Sequence, residues 1–399
     1  MKQFVSSLGA VTAGLAASLL CLASLSAAPA GQTRGFAISW FQPDFYYGDG
    51  DCPDGVNQSI DFKEVFKQEG KTPEEIAELI THANTSLEFA NAAIHRGPHG
   101  ENVCAEPTSV PDPGMKTVQG RFAYGMNLDG TEDGSATAKT CKHQKFEGAS
   151  GDRAGGDKAV DNQLYRVLGC LKGYRGKGHA AFVSAYINER MRTEGMRTYL
   201  IEISGMDPAK TGRADTEQDV EVGIYVGADA LVPDAGTGAQ FDTTQRINKD
   251  TRWHNHVHGK IKDGVLTTDV FTLTLLGDPM WIPEFRFRDA RLRLAFQPDG
   301  SLKGDVGGYL DTDSVFFNSV KSPLSETVSS GNCPATYYAI KRFADGYPDP
   351  KTGECTFIST AFSIDAVPAF LVHPPGEGGS KTASVTGAAA PVLASTAGN

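Results

Sequence analysis

The chain has no Gly-x-Ser-x-Gly elbow, no His-Glu-x-x-His, no phosphate-cradling glycine loop before Lys-Ser or Lys-Thr, and no dinucleotide fingerprint. Those absences leave the α/β-hydrolase, zincin and common nucleotide-binding classes without their chemistry. No Cys-x-x-Cys pair occurs either, so a zinc ribbon, a thioredoxin-type centre and c-type haem attachment drop out. Basic residues are too few for a nucleic-acid partner: Lys+Arg 37 stand against Asp+Glu 48, a formal net charge of −11, whereas phosphate binding needs a basic face. There is no internal repeat. Beyond the first 30 residues no apolar run is long enough to span a bilayer. What remains is ordinary globular composition, 40% hydrophobic and 21% charged. Glycine is enriched, 45 of 399 residues, which favours a fold rich in turns.

Residues 1–30 read as a secretory signal. Lys2 is their single charge, Val5 to Leu25 is apolar or small throughout, and Ala28-Pro29-Ala30 supplies the small-residue pattern before a cleavage point. A membrane anchor is the competing reading, weakened because seven of the 21 residues from Val5 to Leu25 are Ser, Gly or Thr. Lipid attachment at Cys21 fits less well, because Leu19 and Leu20 precede it in place of small residues. Removal of the signal leaves 36 basic and 48 acidic residues, hence −12. Six cysteines survive: Cys52, Cys104, Cys141, Cys170, Cys333 and Cys355. An even number in an exported chain implies disulfides. Pairing of sequence neighbours gives Cys52–Cys104, Cys141–Cys170 and Cys333–Cys355, the last being the favoured bridge because its two members are so isolated in sequence.

Two helices stand out. Thr72, Pro73 and Glu75 form a capping box ahead of an apolar stripe (Ile76, Leu79, Ile80, Ala83, Leu87, Ala90, Ile94), so a helix is predicted from Pro73 to about Arg96. A second covers Ala180 to Glu194, with Val183, Ile187 and Met191 on one face. Upstream of both, six rings crowd Phe36 to Tyr47. They serve either as a platform for a flat ligand or, more ordinarily, as core. From Arg197 onward, period-two alternation takes over at Tyr199/Ile201/Ile203, Val220/Val222/Ile224/Val226, Phe271/Leu273/Leu275 and Leu292/Leu294/Phe296. Turns at Asp263-Gly264 and Asp299-Gly300 suggest hairpins. The expected fold is therefore α+β: a helical, loop-rich, disulfide-stapled region over 31–178, an antiparallel β-sandwich or jelly roll over 179–373, and a flexible low-complexity tail over 374–399.

Three constellations are candidates for chemistry. His254, His256 and His258 alternate, so on a strand all three imidazoles share one face, neighbours about 6.6 Å apart. Two can meet on one Zn2+ or Cu2+, forming a His-x-His half-site that needs ligands from another strand. Arg252 and Lys260 on the same face oppose that reading, and the ordinary alternative is a solvated strand. Asp129, Thr131 and Asp133, ahead of Gly134, follow the first half of a calcium loop. The loop departs from the pattern at Thr131 and at Thr140, where the bidentate Glu belongs. Asp152, Asp157, Asp161 and Asn162, and the acidic turn Asp49-Gly50-Asp51 with Asp54-Gly55, are further oxygen donors. The choice there lies between a structural Ca2+ and plain Asp-Gly turns. Arg286, Arg288, Arg291 and Arg293 form either an anion reader or a charged outer sheet face.

The functional expectation is an exported, non-catalytic binding or surface protein, secreted or periplasmic, with calcium as its candidate structural ion. Its ligand is unspecified by the residues, with a polysaccharide or a cell-surface protein in view. The competing expectation is a secreted metalloenzyme built on the His-x-His strand, in which a metal acidifies water or binds dioxygen.

Overall fold

The computed structural model describes residues 31–57, 67, 70–81, 95, 97–149, 156–175, 182–192, 197–231, 243–278, 282–317 and 332–376. The expected signal segment and nearly all of the expected tail lie outside that set, as does the predicted first helix from residue 82 to 94. In chain order the elements are β1 (Gln32–Pro43), α1 (Pro73–Thr81), β2 (Phe122–Ala123), β3 (Phe146–Gly148), β4 (Ala159–Val160), α2 (Gln163–Leu168) and α3 (Phe182–Arg192). Then follow β5 (Tyr199–Met206), β6 (Glu217–Val226), β7 (Thr243–Arg246), β8 (His254–Lys262), β9 (Val265–Thr268), β10 (Phe271–Asp278), β11 (Ile282–Phe296) and β12 (Leu302–Asp311). The chain finishes with α4 (Thr312–Val315), α5 (Cys333–Phe343), β13 (Gly346–Pro348) and β14 (Cys355–Val372).

The expected sandwich or jelly roll does not form. Strands run β1-β5-β6-β8-β9-β11-β12-β14, and β14 pairs back onto β1, which closes an antiparallel barrel. The closing element is the last strand. Its 18 residues pair with β12 over Phe357–Ala366 and with β1 over Phe362–Ala369, so one strand has two barrel neighbours. Register shifts between Ile38 and Trp40 and between Arg288 and Arg291 let two strands bend around the circumference. Closure removes the open edges that a sandwich would have to protect. Period two is common to both architectures, which is why the pattern points to the wrong one.

Alternation nevertheless marks the inward face correctly. Tyr199, Ile201, Ile203, Val222, Ile224, Leu292 and Leu294 are all buried in one core with Phe36, Phe41, Phe285, Phe287 and Phe362. Eight strands leave an interior that such side chains can fill. Phe41 stacks on Phe362 at 4.9 Å and meets Tyr199 and Phe285 edge-on. The ring-rich segment is thus a barrel strand and its continuation, packed as core. Asp263 and Gly264 both carry positive φ, 53° and 78°, and make the two-residue turn between β8 and β9.

Against the barrel lies a plate of residues 117–149 and 156–171, holding the small sheet β2-β3-β4 and helix α2. It rests on the outer wall of β11, β12 and β14. Arg291 donates to the carbonyls of Asn127 and Leu128 at 3.0 and 2.9 Å, Arg293 pairs with Asp157 at 2.6 Å, and Met126 and Leu128 cover Tyr309. Arg291 and Arg293 are therefore the seat for this plate, whereas Arg286 and Arg288 of the same row remain exposed.

The bridges also differ from expectation. They are Cys52–Cys170, Cys104–Cys333 and Cys141–Cys355, with sequence separations of 118, 229 and 214. Cys333–Cys355 does not form, nor does either other neighbour pair. Cys333 opens α5 and Cys355 opens β14; the helix docks against the segment around Cys104, while β14 starts beneath the plate at Cys141. Two of the three bridges tie the N-terminal region to the C-terminal part of the chain, one to helix α5 and one to strand β14.

Candidate functional site

Two places concentrate chemistry: the helix-capped end of the barrel, and the interface between plate and wall.

At the end where β12 finishes and β14 begins, helices α2, α3 and α4 roof a cavity of about 960 Å³. Helix α3 is placed there by its buried Asn188, whose side chain accepts from Phe41 N and donates to Phe41 O, both at 2.8 Å, along the edge of β1 that β5 has left. Val183 and Ile187, the predicted stripe, face the cavity beside Leu164 and Leu168 of α2. Phe285 and Phe362 of the barrel core and Trp253 also line the cavity. The rim is charged, carrying Arg252, Arg286 and Arg288 against Glu284 and Asp311. Asp250 holds Arg252 at 2.6 Å, and Arg288 lies 3.5 Å over the ring of Tyr347. The Asp311 carboxylate is occupied in capping α4 through Ser314 N at 2.7 Å. A largely apolar cavity edged by charges of both signs, in which Arg286 has no ion partner among the described residues, can take a molecule with an apolar body and an anionic end.

The second place is a buried charged cluster under the plate. His143 and Lys145 alternate on the extended stretch entering β3, so both point the same way, and each side chain is 6% exposed. Lys145 Nζ lies 2.6 Å from Asp129 Oδ1, 2.5 and 2.6 Å from the two oxygens of Asp161, and 3.1 Å from Asn127 Oδ1. Asp161 is held in turn by His143 Nε2 at 2.8 Å on Oδ1, and by the N–H groups of Leu128 at 2.7 Å and Asp129 at 3.3 Å on Oδ2. Behind His143 stands fully buried Asp345, its Oδ2 3.8 Å from Nε2, its Oδ1 accepting from Ser359 N at 2.7 Å.

Burial and charge compete at each of these groups. Burial works against the imidazolium of His143, yet the Asp161 and Asp345 carboxylates and the Cys141 carbonyl prevail, and its pKa rises to about 8. Burial also disfavours ionised Asp161, but His143 and Lys145 hold its pKa below the usual carboxylate value. For Asp345 burial wins over the pull of His143 and Ser359, lifting its pKa to about 7. The buried Tyr309 hydroxyl is pushed upward by burial and by the three carboxylates of Asp345, Asp161 and Asp129.

Asp129, His143 and Asp161 offer ligand atoms within 4.8 Å of one another, the one such trio among the described residues. Lys145 already makes the contacts that a cation would make there, so the carboxylates have a counter-charge from the chain itself.

Of the sequence candidates, Asp129 belongs to this cluster. Thr131 hydrogen-bonds Asp129 through Oγ1 at 3.0 Å, while Asp133 is turned out to Ser135 N at 3.0 Å, so the three do not converge as a calcium loop. Asp157 is held by Arg293 of β11 and Asp161 by His143 and Lys145, and no disulfide between Cys141 and Cys170 gathers them. Asp51 accepts from the Tyr165 hydroxyl. His254, His256 and His258 do share the outer face of β8, as expected, but each has its own neighbours. His254 bonds the Asn248 carbonyl at 2.6 Å, His256 packs edge-on against Tyr225, and exposed His258 lies 3.2 Å from Asp269. The residues missed by sequence reasoning are His143, Lys145, Tyr309 and Asp345. The His-x-Lys alternation before Phe146 is the available signal for two of them; nothing local marks the others.

Comparison with known proteins returns no match: no family model fits the chain, and no curated protein or solved structure aligns with it significantly.

Proposed function

We propose that this chain is an exported binding protein that holds a small amphipathic molecule in the barrel mouth, its apolar body inside and its anionic group at the arginine rim. One observation carries the reading: a largely apolar chamber of about 960 Å³ lies between the barrel core and the α2–α3 roof, edged by Arg252, Arg286 and Arg288 and by Glu284 and Asp311. Barrel mouths are a recurrent location for small-molecule sites, and a chamber of this size suits a ligand of some twenty heavy atoms or fewer. Arg286 has no ion partner among the described residues, which leaves its guanidinium available for a carboxylate or sulfate. Three disulfides accord with an oxidising compartment, and no helix among the described residues is long and apolar enough to cross a membrane.

The test is titration with dodecanoate and with dodecanol below their aggregation limits, read through the fluorescence of Trp253 in the cavity wall. Saturable binding of the carboxylate, with the alcohol weaker, is expected. Arg286→Glu should weaken carboxylate binding about tenfold or more, and Ile187→Trp, which fills the chamber, should abolish binding of both. Unchanged affinity in Ile187→Trp, or no saturable response to either compound, overturns the reading.

A further inference from the structure

The cluster beneath the plate has the parts of a condensation site. Lys145 Nζ is almost equidistant from both oxygens of Asp161, 2.5 and 2.6 Å away. That position brings the nitrogen to about 3 Å or less from the carboxyl carbon, at or inside the range of near-attack conformers. Around this pair stand the other groups that amide formation needs. Asp129 Oδ1, 2.6 Å from Nζ, is placed to take a proton from the amine. His143 Nε2, 2.8 Å from Asp161 Oδ1, is placed to protonate that oxygen. The N–H groups of Leu128 and Asp129 both point at Asp161 Oδ2, as donors do around the oxygen of a tetrahedral intermediate. The side chains of Asp129 and Asp161 are wholly shielded from solvent, and those of Lys145 and His143 nearly so.

We propose that Lys145 and Asp161 join through an intramolecular amide cross-link made by this cluster. Asp129 removes a proton from the Lys145 ammonium, and His143 gives one to Asp161 Oδ1. The freed amine adds to Asp161 Cγ while Oδ2 carries the developing charge against the two backbone N–H groups. His143 then recovers a proton from the nitrogen, Asp129 passes its proton to the departing hydroxyl, and Oδ1 leaves as water. One C–O bond breaks and one C–N bond forms. Nζ gives up two hydrogens, both leave in the water, and Asp129 and His143 end as they began. No oxidant, metal or outside reactant takes part. Exclusion of water from the site favours the condensed product over its hydrolysis. The link ties the strand entering β3 to the residue preceding the cap of α2, 16 positions apart, and unlike the three disulfides it survives reduction.

The experiment is peptide mapping of the reduced, denatured, full-length folded product. The expected result is a branched tryptic peptide joining the Lys145 and Asp161 segments, lighter by one water than their sum, with no tryptic cleavage after Lys145. The branch itself is the deciding signal, because a succinimide at any Asp-Gly turn loses the same mass without joining two segments. Lys145→Arg should restore cleavage at that position and remove the branch. Asp129→Asn, which keeps the size of the side chain and loses the base, should give a folded chain, judged by circular dichroism and intact disulfides, in which the branch is largely missing. Two linear peptides of full mass from folded wild type overturn the proposal, and so does a branch undiminished in folded Asp129→Asn, since the bond would then not be made by this cluster.

Discussion

The barrel interior and the plate outside it share one apolar core but differ in how far they also depend on directed contacts. The interior is a continuous apolar core of buried aromatic and aliphatic side chains that includes the Phe41–Phe362 stack. The plate has few strand pairs of its own, since its sheet comprises three strands of two or three residues each. It is retained by apolar side chains such as Phe146, Val160, Leu164 and Tyr165 that join the barrel's core, and in addition by Cys141–Cys355, by Arg291 and Arg293, and by the buried charges around Lys145. The difference teaches where specificity comes from in each. Hydrophobic burial is non-directional and tolerates many partners, so the barrel needs only the right period. Buried charges demand named partners at fixed distances, so the plate needs particular residues, and these are the ones that can carry chemistry.

That contrast is open to attack from both sides. The largest effect should come from Phe362→Ala, which removes a ring contacting Phe41, Phe285 and Phe287. A loss of about 3–5 kcal/mol in global stability is expected by chemical denaturation, with protection against hydrogen exchange falling in barrel and plate alike. If only the plate loosened, the barrel would not be the common support. Replacing Cys141 and Cys355 together with Ser should cost roughly 2–4 kcal/mol. Here exchange should rise across residues 117–161 while the centres of β5 and β6 stay protected. Uniform loss in both regions would mean that the plate is no separate unit.

The third prediction concerns the buried carboxyl of Asp345. Its folded pKa of about 7 lies above its ordinary value of 3.8. The folded state therefore binds the proton more tightly than the unfolded state. Its stabilising contribution is complete below about pH 4 and is lost as pH rises through 7. Asp345→Asn keeps an acceptor for Ser359 N and cannot ionise. It should be more stable than wild type at pH 8, by on the order of 1–3 kcal/mol, and should level with it near pH 4. Thermal unfolding at both pH values checks this, and a variant less stable at pH 8 would show that the Asp345 charge supports the fold.

The two regions differ equally in how far they are legible from residue order. Period-two alternation locates β5, β6, β10 and much of β11, and the Thr72–Glu75 capping box is present, with Thr72 N donating to Glu75 Oε2 at 2.7 Å and Glu75 N to Thr72 Oγ1 at 3.2 Å. Each of these is a local signal. The cavity roof is half visible, since Val183 and Ile187 read as a core face without any indication of what they face. The cluster is hardly visible at all. Asp129 reads as part of a calcium loop and Asp161 as a stray donor, whereas Lys145 and Asp345 carry no local mark. Their meeting depends on a plate and a hairpin 200 residues apart in sequence, Asp345 following α5 and Lys145 preceding β3.

The amino-acid order alone determined several strands with their inward faces, the turns at Asp263-Gly264 and Asp299-Gly300 and the supply of six cysteines, because each depends on side chains within a few positions of one another. Tertiary structure alone decided that the sheet closes, which cysteines meet, and that a lysine lies between two aspartates. Those outcomes rest on contacts between segments distant along the chain, and their energies are set by burial, which no short window of residues contains.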